Sequence, residues 1–273
     1  MRLQLFMSKG AASSEVNGKL LEKLNECLSN KDMIGSTVIL TDEHPDIIHV
    51  FGSWDEQVHT TISKAHKKRI PVILSPLSGL QPWNMRKTPV DFCEERHAVK
   101  CSTAIHVTSR MELETLKNLK WNKNVFLIRN SIITKEISDI EMAKDLLAKY
   151  VQTIENHDKK VKEKIRHKVE DTGCKDSPMI QIISKLLYIK YLYNRGNLQE
   201  EEIRALSDLL TGLDYDEDKF GDMLNNMKIS YFSSCLFQVT GEISTLTEGF
   251  MPIPPTEDKL TKQIRSIITN YQD

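Results

Sequence analysis

Up to residue 133 the chain alternates short β-branched runs with amphipathic stretches of ten or more residues, and this alternation restricts the fold more than any other feature. The runs at 3–7, 37–40, 47–51, 72–74, 105–107 and 125–128 are apolar and of strand length. Apolar strands separated by helices build a parallel sheet covered on both faces, because each crossover helix shields the strands from water. The expected fold class for residues 1–133 is therefore α/β, a Rossmann-like parallel sheet.

After Ile133 the period changes. Ile140, Ala143, Leu146, Leu147 and Tyr150 recur at helical spacing within charged sequence. A richer apolar helix over 182–192 is ended by Asn194-Arg195-Gly196-Asn197, and another begins at Glu200, which predicts an antiparallel helical hairpin. Pro252, Pro254 and Pro255 break the chain before a final helix expected over 257–271. Residues 134–273 are thus expected to form a second, all-helical domain. Its lysine- and glutamate-rich stretch 144–171 reads as a solvated linking helix, or as a surface for a partner protein or a membrane.

Composition excludes several classes. The 37 basic and 38 acidic residues give a net charge of -1, so no general field draws the chain to nucleic acid or to anionic lipid. Five scattered cysteines without a Cys-x-x-Cys pair indicate neither a disulfide framework nor a zinc knuckle. No export signal and no membrane span is expected. A cytoplasmic location follows as the expectation, with attachment to the inner face of the membrane left open.

In a parallel sheet, ligands collect beyond the carboxyl ends of the strands, where loops and helix N-termini present N–H groups. The loop 8–18 follows the first strand and offers Gly10 and Ser13 to a phosphate or sugar, or makes an ordinary strand-to-helix turn. At the third strand's exit, Gly52 lets the backbone turn tightly and Trp54 offers an aromatic face; a buried tryptophan capping the sheet is the competing reading. In the run 75–83, Ser78 and Gln81 offer polar groups, Gly79 a close backbone turn and Trp83 an indole to a ligand.

Three segments carry a family resemblance: His49-Val50-Phe51-Gly52-Ser53-Trp54, Ser75-Pro76-Leu77-Ser78-Gly79-Leu80-Gln81-Pro82-Trp83, and the strand Ala104-Ile105-His106-Val107-Thr108-Ser109 followed by Glu112. Together they resemble the N-terminal, acceptor-side half of a GT-B glycosyltransferase of the retaining family 4 type. That family has a similar His-x-x-Gly-x-Trp turn, a Ser-Pro-His-Gly run ending in Pro-Trp, and an Ile-His-x-Thr-Ser-x-x-Glu strand exit. Leu77 stands where the family has its histidine, and a leucine neither donates a hydrogen bond nor moves a proton. The second Rossmann domain that holds the nucleotide sugar in the family has no counterpart in 134–273, where no succession of strands occurs.

Other constellations weigh less. Cys93, His97 and Cys101 lie four apart on one helical stripe, which spreads them over ~12 Å, too far to converge on one zinc ion. Asp214-Tyr215-Asp216-Glu217-Asp218 starts like a calcium loop, but Lys219 and Asn225 occupy the positions of its glycine and its final glutamate, so an acidic cap for the next helix is expected. Neither metal nor cofactor is implied, and no catalytic residue can be assigned.

The expected function is an acceptor-side glycosyltransferase domain of hexosyltransferase type, acting in surface polysaccharide or glycolipid synthesis with a donor half on another chain. Its partners would be a saccharide or lipid-linked acceptor and a protein bound through the helical region. The alternative is a non-catalytic scaffold descended from such an enzyme.

Overall fold

Six short strands form one parallel sheet: β1 (Arg2–Met7), β2 (Ile39–Leu40), β3 (Ile47–Phe51), β4 (Val72–Ser75), β5 (Ala104–Val107) and β6 (Val125–Leu127), in the order β2-β1-β3-β4-β5-β6. Every strand coincides with one of the apolar runs of the sequence. The structure is a computed structural model, and it describes all residues except 53–54, 82–83, 85–88, 245 and 273. Helices α1 (Lys9–Ala12), α2 (Glu15–Ser29) and α3 (Lys31–Ile34) lead from β1 to β2. Single helices make the later crossovers: α4 (Glu56–Lys67), α5 (Pro89–Cys101) and α6 (Arg110–Leu119).

Strand alternation sorts the side chains onto two faces. Ile48, Val50, Val72, Leu74, Ile105 and Val107 pack with Val58 and Ile62 of α4, Val99 of α5 and Leu116 of α6. Ile47, Phe51, Ile73 and Ala104 face the other way and pack with Leu20, Leu24 and Leu28 of α2. Central strands β3, β4 and β5 are buried along their whole length, which is why they read as continuous apolar runs instead of alternating ones.

After a short turn, α7 (Ser131–Thr134), comes α8 (Asp139–Glu170), a single helix of 32 residues. The contacts divide the chain into Met1–His157 and Asp158–Asp273. Residue 134 therefore marks where helical sequence begins, while the unit division falls within α8. Met142, Ala143, Leu146, Leu147 and Tyr150 are buried against the sheet core, whereas Val161, Ile165 and Val169 belong to the second core. These apolar stripes are sparse in a charged sequence, which is why the helix looks solvated when read alone.

The second unit is helical, with α9 (Ser177–Arg195), α10 (Glu200–Gly212), α11 (Glu217–Asn226), α12 (Ser230–Ile243) and α13 (Lys259–Gln272) following the end of α8. Gly196, at φ 71, ends α9 in the left-handed conformation and opens the expected hairpin. Asp216 caps α11 by accepting the Lys219 N–H at 3.0 Å, as the acidic run suggests. Ile182, Ile183, Leu186, Ile203, Leu206, Phe220, Leu236 and Phe237 centre its core.

One chain of hydrogen bonds crosses the α2 face of the sheet. Tyr150 Oη lies 2.6 Å from His49 Nδ1, His49 Nε2 lies 2.6 Å from Ser75 Oγ, and Ser75 Oγ lies 2.6 Å from His106 Nδ1. His106 Nε2 lies 3.0 Å from the Ile128 carbonyl oxygen. That carbonyl can only accept, so His106 Nε2 carries the hydrogen and its Nδ1 accepts from Ser75. Ser75 then accepts the His49 Nε2–H, and His49 Nδ1 accepts the Tyr150 hydroxyl. All four side chains are buried, and both imidazoles are neutral. Burial holds the His49 imidazole well below the ordinary range, with His106 adding to the effect. Burial also pushes His106 down to about 4, against a smaller upward pull from the Ile128 carbonyl.

Removing a link leaves a buried group without its partner. Tyr150→Phe and Ser75→Ala are each expected to cost about 1–3 kcal/mol, and the double variant less than their sum because the links are coupled; urea unfolding monitored within the α/β unit measures both. The histidines also set an acid limit. The unfolded chain takes up protons at His49 and His106 below about pH 6.5, while the folded chain resists doing so, so their contribution is complete above that pH and is lost progressively as pH falls below it. On a Glu112→Gln chain, which removes the opposing titration of that buried carboxyl, a urea-midpoint series from pH 8 to pH 5 should show that decline.

Candidate functional site

Strand order places β1 beside β3, and their onward connections leave toward opposite edges of the sheet. Loops after such a pair diverge and leave a crevice at the carboxyl ends, the general ligand position of open α/β sheets. Here the two loops are bound tightly to each other at their base. Ser8 donates its N–H to the Phe51 carbonyl at 3.2 Å, and its side chain caps α1 by accepting the Ala11 N–H at 3.2 Å. Gly52 adopts φ 136, and a Cβ there would stand 2.7 Å from Ser8 Oγ. Only glycine satisfies both the backbone and the space.

Above that junction, Lys9 donates its N–H to Gln57 Oε1 at 3.1 Å, and Asp55 caps α4 by accepting the Val58 N–H at 2.9 Å. Gly10 lies beside Asp55, where an added Cβ would make an ordinary contact at 3.5 Å. Ser13 is exposed and donates its hydroxyl to the Gly10 carbonyl at 2.7 Å. Gly10, Ser13 and Gly52 are thus brought to one end of the sheet, with Gly52 spent on internal packing and Gly10 and Ser13 open to solvent. Trp54 lies outside the described residues.

The third loop follows β4. Pro76 and Gly79 close a turn, Gly79 donating its N–H to the Pro76 carbonyl at 2.9 Å, with Leu77 at φ 50 and Ser78 at φ 69. Consecutive left-handed residues that are not glycine store strain, and the neighbouring β5–α6 element holds the turn. Gln81 Nε2 donates to Ser109 Oγ at 3.5 Å, and the Leu80 N–H donates to Glu112 Oε1 at 3.3 Å. Ser78, Gly79 and Gln81 therefore sit together on a braced loop, Ser78 and Gln81 half-buried and Gly79 buried. Trp83 lies outside the described residues. Leu77 is half-buried and packs on the apolar cluster of the α2 face.

Sequence reading passed over the brace. Ser109 and Glu112 have the Ser-x-x-Glu spacing of a helix capping box, and Ser109 does accept the Glu112 N–H at 3.2 Å. The Glu112 side chain, however, turns to the Leu80 amide instead of back to Ser109. It is fully buried, and among the described residues no donor reaches its Oε2 in hydrogen-bonding geometry. Burial pushes the carboxyl up to about 7, against weaker downward pulls from the Leu80, Thr108 and Ser78 amides. His49, Ser75 and His106, the residues of the three segments that look most chemically active, point instead into the buried hydrogen-bond chain.

On the remaining constellation, Cys101 Sγ lies 3.4 Å from His97 Nε2, burial raises the Cys101 thiol above its ordinary range, and Cys93 is exposed. Among the described residues, no group of three His, Cys, Asp or Glu side chains is placed to hold a metal ion. No protein-family model matches the chain, and no curated protein or solved structure matches it.

Two substitutions test this geometry. Gly52→Ala should destabilise the α/β unit by about 2–3 kcal/mol through its left-handed backbone and the Ser8 contact, read as a lowered unfolding midpoint. For Glu112, the folded state keeps a proton that the unfolded chain releases above about pH 4.5, so stability falls from there to about pH 7 and is level beyond. Glu112→Gln lacks that titration. Relative to the variant, the wild-type chain should lose on the order of 3 kcal/mol between pH 4.5 and pH 8, measured as the difference between two unfolding series.

Proposed function

We propose that the α/β unit is the acceptor-side half of a GT-B type glycosyltransferase, working with a donor half carried by another chain in surface polysaccharide or glycolipid synthesis. The observation that carries this reading is the convergence of the loops after β1, β3 and β4 at the carboxyl end of the sheet, with Gly10, Ser13, Ser78 and Gln81 presented there on a braced backbone. Short polar side chains and amides on a rigid base suit saccharide hydroxyl groups, which need several hydrogen bonds of fixed direction. Leu77, packed inward at the position of the family's histidine, leaves this unit a binding role and assigns proton transfer elsewhere. The proposed place of action is the cytoplasmic face of a membrane; among the described residues no helix is long and apolar enough to cross one.

A second reading, a non-catalytic scaffold, is favoured by one observation. The described elements of Asp158–Asp273 are helical, so that unit offers no second sheet for a nucleotide sugar.

Isothermal titration of the full chain with short oligosaccharides, UDP-glucose and GDP-mannose separates these readings. The acceptor reading expects oligosaccharide binding that Gln81→Ala weakens about fivefold, the worth of one hydrogen bond of ~1 kcal/mol. Nucleotide-sugar binding by the chain alone would overturn the need for a donor partner. Failure of every saccharide to bind leaves the scaffold.

A further inference from the structure

The helical unit contains a recess of about 590 Å³ lined by Lys162 and Arg166 of α8, Ser177, Ile180, Gln181, Ser184, Lys185 and Tyr188 of α9, and Leu209 of α10. Cavities of this size hold small molecules when an apolar lining is combined with a few directed polar groups. The recess has that make-up. Ile180, Leu209 and the Tyr188 ring supply apolar surface, and Ile180 and Tyr188 set it out over about 12 Å of helix. An elongated apolar surface suits a linear chain.

Its polar groups are unequal. Arg166 Nε donates to Glu170 Oε1 at 2.8 Å, and Lys185 is paired with Glu202. Lys162 lies over the Tyr188 ring, 4.5 Å from its centroid, and among the described residues it has no carboxylate partner. Lys162, Arg166 and Lys185 put three cations on the lining, and among the described residues no carboxylate lines it. A cationic, partly apolar recess with one ammonium free of a carboxylate is complementary to an anion bearing an apolar tail.

We propose that this recess binds an anionic amphiphile, a linear apolar chain ending in a phosphate or carboxylate, with the anion at the Lys162 ammonium and the chain along Ile180 and Leu209. The inference rests on the helical unit alone and is independent of the glycosyltransferase reading. Arg166 and Gln181 would cover the chain with their aliphatic stems while keeping their polar ends in water.

The test is titration calorimetry of the full chain with dodecyl phosphate and dodecanoate below their aggregation concentrations, with dodecanol and dodecyltrimethylammonium as comparators. One-to-one binding of both anions is expected, about tenfold or more tighter than the alcohol or the cation. Lys162→Gln, an exposed substitution, should weaken the anions about tenfold and leave dodecanol unchanged. Leu209→Glu, which sets a carboxylate against the apolar lining, should abolish anion binding; if that variant fails to fold, Lys162→Gln decides. Flotation with phosphatidylglycerol vesicles separates a soluble ligand from a membrane headgroup. Equal affinity for anion and cation, anion binding unaltered in either variant, or attachment to vesicles without binding of dispersed amphiphile would each overturn the proposal.

Discussion

The hydrogen-bond chain from the Tyr150 hydroxyl to the Ile128 carbonyl joins β3, β4 and β5 to the first part of α8. Two imidazoles in an apolar core can persist only if neither is charged and every nitrogen has a partner. A terminal acceptor that cannot donate meets both conditions at once, because it forces one direction on every bond behind it. Packing on this face then follows: Leu146 and Leu147 lie in the same cluster as Ile47, Phe51 and Ile73, on the helix that carries Tyr150. Cores built of apolar side chains tolerate exchange of one shape for another. A directed polar chain does not, and it gives this sheet and its helix a specific fit that hydrophobic burial alone would leave loose.

The carboxyl end of the same sheet is organised differently. Its loops are held by close backbone approach at Gly52 and Ser8 and by carboxyl groups that accept from backbone amides, Glu112 from Leu80 and Asp55 from Val58 at the start of α4. The side chains left open there are small and polar, as a binding surface requires. Three groups of this unit with displaced proton affinities, His49, His106 and Glu112, are fully enclosed. Perturbed proton affinity often marks catalytic groups, but here each shift comes from burial, and structural roles explain all three.

The sheet was legible in the sequence because its strands are buried on both faces and read as uninterrupted apolar runs, with helices of ordinary length between them. The hairpin at Gly196 was legible for an equally local reason, a glycine where the helix must end in the left-handed conformation. What the sequence hid was non-local. His49, Ser75 and His106 lie on three strands and meet only because their alternation and register bring them to one face. Glu112 has the spacing of a capping residue, and only the folded loop shows that it serves Leu80. Val161 and Ile165 look isolated among charges until the second core closes over them. The loop positions of Gly10, Ser13, Ser78, Gly79 and Gln81 followed from strand order, whereas the inward packing of Gly52 and Leu77 depended on neighbours far along the chain.

The directed chain also constrains how this protein can change over generations. Reversing or shortening it at one residue strands a neighbour, so a substitution at His49, Ser75, His106 or Tyr150 is tolerated only when another of the four changes with it. These positions, spread over a hundred residues of sequence, should therefore behave among descendants as one inherited character, kept whole or replaced whole by apolar side chains.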